Sequence, residues 1–185
     1  MIEQKLLIQI AKGNQKAFQE LYLLYKSKVY NTALGYLQNV EEAEEITQDV
    51  FLSIFKRATT FKGQSKVSTW IYRITINKAL NQIEKRNRRP KSNLEIQDYH
   101  QIDFQHPGIL LENKEKAQYL FSVINTLIAT QKTAFILSYV EGLPQQEVAD
   151  IMETTVKSVE SLLQRAKTNL KKKLISIYPE GNHKK

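Results

Sequence analysis

Trp70, Asn77, Lys78, Asn81 and Lys85 gather on one side of a helical wheel drawn through the apolar run that follows Ser68 and Thr69. That side joins a large aromatic ring, two amides and two cations. These are the parts needed to hold nucleic acid: a ring for stacking, amides that reach base edges, and charges for phosphates. Tyr72, Ile76, Ala79, Leu80 and Ile83 fall on another side and make a core face. A short polar loop around Gly63 and Ser65 precedes the helix, and Ser68 or Thr69 is placed to cap it. The helix runs on into Lys85, Arg86, Arg88, Arg89 and Lys91 and stops near Pro90. A plainer account also fits this stretch taken alone: a Trp at a helix start packs in a core, and a basic helix end complements the helix dipole.

A second constellation lies further on. QQEVADIM reads as a short helix with Val148, Ala149 and Ile151 inward. Glu153-Thr154 is a tight turn, and Thr155 caps a long final helix to about Leu174. Val156, Val159, Leu163, Ala166 and Leu170 pack inward, while Lys157, Glu160, Ser161, Gln164, Arg165 and Lys167 point out. Short helix, turn and second helix is the helix-turn-helix pattern, whose second helix enters a major groove. The outward residues match base edges: Arg for guanine, Gln for adenine, Glu for cytosine. A helical hairpin packed on itself without DNA also fits this segment. The tail Lys171-Lys172-Lys173 suits phosphate or solvent.

A third cluster is acidic. Glu41, Glu42, Glu44, Glu45 and Asp49 crowd the first half of the helix EEAEEITQDVFLSIFK, where the positive end of the dipole favours them. Clustered carboxylates can bind a divalent metal or do acid–base work. No third ligand type or second acidic patch accompanies them. The face is therefore expected to be solvated or to dock on a basic protein partner, with no metal, no cofactor and no catalytic residue.

Composition narrows the classes. The 185 residues carry a formal net charge of +8, which favours an acidic partner, and no cysteine, which removes disulfides, thiol catalysis and cysteine-bound zinc. Neither a signal peptide nor a membrane-spanning run is read in the chain, so a cytoplasmic location without membrane insertion is expected.

The elements that position these groups read as all α. Ile2 to Lys12 is a short helix with Ile2, Leu6 and Ile10 on one side and Gly13 ending it. Asn14 caps a longer helix to about Gln38, striped by Phe18, Leu21, Tyr22, Tyr25, Val29, Ala33 and Leu37. The acidic helix buries Ala43, Ile46, Val50, Phe51 and Ile54. From Arg88 to about Asn113 no period is sustained, and that stretch reads as a linker able to span roughly 85 Å at about 3.3 Å per residue. Two helices follow, Glu115 to Ala129 burying Leu120, Val123, Ile124 and Leu127, and Thr130 to Val140 burying Phe135, Ile136, Tyr139 and Val140. Gly142 then stops one helix and Pro144 opens the next in its first turn. Two small helical domains are expected at 1–89 and 114–178, with a linker at 90–113 and a tail at 179–185.

These stretches in this order resemble a bacterial RNA polymerase sigma factor of the extracytoplasmic-function group, within the sigma-70 family. GNQKAFQELYLLY resembles the opening helix of the family's region two, EEAEEITQDVF its acidic signature, and FKGQSKVSTWIYRITIN its promoter-melting segment. YVEGLPQQEVADIM with SVESLLQRAK resembles region four. The resemblance covers nearly the whole chain. It implies a protein that binds core RNA polymerase, directs it to a promoter and opens the DNA, with no reaction of its own.

It also implies roles. Glu45, Gln48, Asp49 and Leu52 would dock on the clamp helices of the largest polymerase subunit. Phe61, Lys62, Gly63, Gln64 and Ser65, with Asn77, would hold an extruded base of the −10 element. Trp70, Lys78, Arg86, Arg88 and Arg89 would lie along the melted strand and the duplex upstream of it. Thr155, Lys157, Ser158, Glu160, Ser161, Gln164, Arg165 and Lys167 would form the −35 surface. An anti-sigma partner and a monomeric free state are implied as well. The chain departs from the family pattern at Ile76, where a cation is frequent, at Asn81, at Glu84, and at Ile128, where proline is usual. Glu160 stands where a cation is common.

Other classes leave more unexplained. A stand-alone helix-turn-helix regulator accounts for Gln145 to Leu174 but gives the Phe61–Asn77 segment and the acidic face no role. A metal-dependent nuclease needs carboxylates converging from separate segments. A membrane-surface protein needs a large apolar outer face on the final helix.

Overall fold

Asn14 and Asn39 set the frame of the first half of the chain. The Asn14 side chain accepts the N–H of Ala17 at 3.1 Å, and that of Asn39 accepts the N–H of Glu42 at 2.7 Å. They open α2 (Gln15–Leu37) and α3 (Val40–Arg57), which Gln38 separates in a left-handed conformation at φ 54°. In this computed structural model, residues 2–88 and 114–177 are described, with the side chains of 119–175 in the second stretch. The chain divides into two units, Met1–Ile102 and Asp103–Lys185. Every described element is helical. The expected linker at 90–113, Arg89 and the tail lie outside the described residues.

In the first unit α1 (Ile2–Ala11) precedes α2 and α3, a 3-10 turn at Ala58–Thr60 follows, and α4 (Val67–Arg88) closes the bundle. Helices α2, α3 and α4 pack on one another, and α1 packs against α2, α3 and the 3-10 turn. The face expected for α3 is the face buried, with Thr47 added. In α1 the buried residues are Leu6, Leu7 and Ile10, whereas Ile2 is 70% exposed. A helix end has fewer neighbours to cover it, so Leu7 takes the place expected for Ile2.

Helix α4 starts earlier than its sequence suggests. Val67 is its first residue, and the Lys66 carbonyl accepts the Trp70 N–H at 3.2 Å. Ser68 and Thr69 therefore sit inside the first turn and not at a cap. Val67, Thr69, Ile71 and Thr75 are buried along with Tyr72, Ile76 and Ala79, so α4 is covered on a broader face than expected. Leu80 and Ile83 are half-buried.

The second unit holds α5 (Lys114–Ile124), α6 (Ala129–Phe135) continuing through a π turn at Ile136–Val140, α7 (Gln145–Ile151) and α8 (Val156–Ile177). The π turn is marked by the Glu141 N–H bonding to the Ile136 carbonyl five residues back, at 2.9 Å. The buried stripe runs through Thr133, Ile136, Leu137 and Val140, and Tyr139 lies beside it and is exposed, against the expectation that it packs inward. Gly142, at φ 68°, lets the chain turn, and the Leu143 N–H returns to the Leu137 carbonyl at 3.0 Å. Pro144 stands one residue ahead of α7, at its cap. Phe121, buried in α5, was not on the expected face.

Candidate nucleic-acid and polymerase interfaces

The loop between the 3-10 turn and α4 is held where it leaves the turn. The Phe61 N–H bonds to the Ala58 carbonyl at 3.4 Å, and the Thr60 hydroxyl donates to the Arg57 carbonyl at 2.8 Å. Gly63 takes φ 70°, a conformation that a residue with a Cβ adopts only at a cost. The loop thus doubles back and brings the Phe61 ring to 5.3 Å from the Trp70 ring, tilted by 55°. Both rings are half-buried, while Lys62, Gly63, Gln64 and Asn77 are exposed and Ser65 is half-buried. Asn77 is seven residues from Trp70, two helical turns along the same side of α4. The structure therefore brings together an aromatic pair, a polar loop and an amide on one surface. That set suits an unstacked base, with a ring to stack on and donors and acceptors at its edge.

The cations of α4 divide into two groups. Lys78 lies 3.4 Å from Asp49, Gln82 donates to Glu42 at 3.2 Å, and Arg86 lies 3.5 Å from Glu42. Positions 78, 82 and 86 form one line on α4 that meets positions 49 and 42 on α3. Arg88 pairs with Glu84 on its own helix at 3.1 Å and is largely exposed, and Lys85 is exposed. The sequence alone placed Lys78 and Lys85 on one face and had no signal for the α3 partners. The exposed pairs Lys78–Asp49 and Arg88–Glu84 contribute about 0–1 kcal/mol each, little enough for a phosphate to displace them, whereas Glu42 is half-buried against Arg86. Ile76 is buried, so its departure from the family's frequent cation alters the core and not a phosphate-facing surface.

On α3, Glu45, Gln48, Asp49 and Leu52 are all exposed and follow one another at helical spacing. Leu52 is 50% exposed and Phe55, one turn beyond, 45%. Phe55 extends the stripe with an aromatic that sequence reasoning missed. Its ring rests edge-on against Phe18 of α2 at 5.5 Å. Between α2 and α3 a groove of about 370 Å³ runs past Tyr22, Tyr30 and Gln48. Burial, followed by the carboxylates of Glu44 and Glu41, raises the Tyr30 phenol above its ordinary pKa. The arrangement is a mixed apolar and acidic surface suited to a protein partner.

In the second unit the turn between α7 and α8 passes through Glu153 at φ 54°. The Thr154 N–H bonds back to the Ala149 carbonyl at 3.0 Å, and the Thr155 hydroxyl accepts the Ser158 N–H at 3.2 Å. Val159, Leu163, Ala166 and Leu170 are buried, which turns Lys157, Glu160, Ser161, Gln164 and Arg165 outward. Of the other residues placed on this surface, Thr155 is occupied as a cap and Ser158 is half-buried. Lys167 is exposed but sits over the Tyr139 ring at 4.7 Å. Helix α8 is tied down by the Asn169 amide, which donates to Gln131 of α6 at 3.0 Å. Gln131, Lys132 and Thr133 are buried, with Lys132 donating to Asn125. The periodic pattern gave no sign of this polar packing.

Comparison with known proteins adds the lineage. Residues 21–89 match the model of sigma-70 region 2, and residues 117–170 match that of sigma-70 region 4. The RNA polymerase sigma-H factor of Pseudomonas aeruginosa is 29% identical over 187 residues, covering 97% of each chain. The extracytoplasmic-function RNA polymerase sigma-E factor of Escherichia coli is 29% identical over 182 residues, covering 94% of this chain and 95% of its own. Among solved structures, one of CnrH in complex with the cytosolic domain of CnrY superposes with a TM-score of 0.69 at 20% identity, over 95% of this chain and 99% of that one. The sigma factor RpoE of Bartonella quintana, solved with the anti-sigma factor NepR, gives 0.61 at 21% identity, over 86% and 97%. The two matched regions fall on the two helical units in family order, and the chain belongs to the sigma-70 family of RNA polymerase sigma factors, in its extracytoplasmic-function group.

Proposed function

We propose that this chain binds core RNA polymerase, carries it to promoters with a −10 and a −35 element and opens the DNA, without a reaction of its own. One observation carries the reading: sigma-70 regions 2 and 4 occur in order on two helical units. Each unit also exposes a surface chemically suited to its task. The stripe from Glu45 to Leu52 docks on the clamp helices of the largest polymerase subunit. The loop from Phe61 to Ser65, with Asn77, takes up an extruded −10 base. Extrusion costs a few kcal/mol, which a formed pocket offsets.

Trp70, Lys78, Arg86, Arg88 and Arg89 follow the melted strand and the duplex upstream. Lys157, Glu160, Ser161, Gln164 and Arg165 read the −35 bases, with Thr155, Ser158 and Lys167 at the edge of that surface. The working domains are 1–89 and 114–178, joined by 90–113. Both partners place the protein in the cytoplasm, and no helix among the described residues is long and apolar enough to cross a membrane. The Bartonella protein was solved with an anti-sigma factor, and a partner of that kind is proposed for this chain too.

The test is assembly with purified core polymerase, followed by transcription from a pool of random promoter fragments. A stable complex that initiates at a shared pair of elements is the expected result. Sequence-specific duplex binding without polymerase binding would instead favour a stand-alone regulator.

A further inference from the structure

Tyr25 is buried in the middle of α2, and its hydroxyl donates to the Glu3 carboxylate of α1 at 2.5 Å. The Ser68 side chain, in the first turn of α4, hydrogen-bonds to the same hydroxyl. One phenol thus joins three helices. Burial, then the bond to Glu3, pushes its pKa far up, so the phenol remains a donor throughout the neutral range.

The position of this junction matters more than its strength. Ser68 lies three residues past Ser65, the end of the loop. At the loop's other end the Ala58–Thr60 turn packs against α1, and Phe61 follows it directly. Both ends of the segment that brings Phe61 against Trp70 are therefore referred to the same short helix. The match to region 2 begins at Leu21, so α1 and the first turns of α2 stand outside it.

We propose that the Glu3–Tyr25–Ser68 hydrogen-bond chain positions the Phe61–Ser65 loop for the −10 base. This makes α1 part of the promoter-opening apparatus without DNA contact. The inference rests on the role given to that loop above. Glu3, Tyr25 and Ser68 are positioning residues. Losing the junction leaves the α3 docking stripe in place but loosens the loop.

The experiment uses the full chain assembled with core polymerase. Its probe is a promoter fragment that the unmodified holoenzyme selects from a random pool, carrying a fluorescent base analogue in the −10 element. Opening rate, core affinity and thermal midpoint are measured for Tyr25→Phe, Glu3→Leu, Glu3→Gln and Ser68→Ala. Tyr25→Phe and Glu3→Leu are expected to slow opening about tenfold, the scale of one lost hydrogen bond to a charged group. Core affinity stays unchanged.

Glu3→Gln restores opening, because the amide oxygen still accepts the phenol proton. The double variant Tyr25→Phe with Glu3→Leu opens no more slowly than either single one. Ser68→Ala, at a half-buried site, gives the same direction of change if the Tyr25 variant folds poorly. Opening at the unmodified rate in Tyr25→Phe, Glu3→Leu and Ser68→Ala overturns the inference, as does slowing that only tracks lost core affinity. Asn77→Ala and Phe61→Ala run alongside. If they slow opening and the positioning variants do not, the loop keeps its role and only this inference falls. If they leave opening unchanged, the loop's role falls first and takes the inference with it.

Discussion

Lys78 Nζ lies 3.4 Å from Asp49 Oδ2, so a cation assigned to DNA and a carboxylate assigned to polymerase hold each other across the seam between α4 and α3. The pair is open to solvent and contributes about 0–1 kcal/mol. Asp49→Asn is therefore expected to shift the unfolding free energy by no more than about 1 kcal/mol. Asp49→Lys weakens core polymerase binding while leaving promoter sequence preference alone. Urea unfolding beside a core-binding titration checks both. Unaltered core affinity in Asp49→Lys removes Asp49 from the docking stripe.

The half-buried ring pair of Phe61 and Trp70 and the exposed amide of Asn77 predict a separation of steps. Phe61→Ala and Asn77→Ala are expected to impair promoter opening or −10 selectivity, with core affinity retained. Permanganate reactivity of melted thymines reads the opening directly. Normal reactivity in both variants removes the pair from the −10 site.

Arg165 is exposed on α8 opposite the buried Val159–Leu163–Ala166 line. Arg165→Ala is expected to relax discrimination at one −35 position by roughly 1–3 kcal/mol, the worth of a bidentate contact to guanine. Selection from a randomised −35 element measures it, and an unchanged preference shows that the contact is not made.

Tyr25 gives a pH dependence. Its pKa in the fold lies above that of the unfolded chain, near 10, because burial and the Glu3 bond favour the protonated phenol. Below about pH 10 both states hold the proton and the stabilisation is present in full. Above it the unfolded chain ionises first, so stability falls as pH rises toward the folded-state value. Tyr25→Phe is expected to flatten that alkaline slope in chemical unfolding curves, and an equal slope in both proteins would assign the loss to other groups.

Ile128 precedes α6 at φ −63° and is exposed. That angle is the one a proline ring imposes, and the family usually has proline there. Ile128→Pro is expected to raise stability by about 0.4–1 kcal/mol through a less flexible unfolded chain. Thermal or urea unfolding reads the gain, and a loss would show that the Leu127 backbone does not tolerate a following ring.

The helices, their order and most core faces were legible in the residues because burial leaves a period. Ala43, Ile46, Val50, Phe51 and Ile54 of α3 are the plainest case, and the α7–α8 face is close behind. The misses share a cause: period alone does not report which of two adjacent stripes is covered, or partners distant in sequence. Phe135 and Tyr139 form a stripe of their own beside the buried Thr133–Ile136–Leu137–Val140 line, and Tyr139 stays outside the core. The first turn of α4 absorbed Ser68 and Thr69, which local chemistry alone would make caps. The lines from Lys78 to Asp49 and from Arg86 to Glu42 join residues 29 and 44 positions apart, and neither stretch alone announces the other. The surface chemistry was legible as residue type, but the pairing that divides the α4 cations was not.

The widened turn at Ile136–Val140 carries one more implication. An extra residue taken up in a wider turn is a shock absorber: rotation per residue falls there, so the bond spanning five residues closes about one turn, as a four-residue bond does in an α-helix. The angular setting of the segment leading into α7 is thus kept despite the added residue. A one-residue deletion there would return the ladder to ordinary α spacing and leave the α7–α8 pair nearly where it stands on α6. The turn is therefore a place where the chain length can change by a single codon while every side chain on the outer face of α8 keeps its aim.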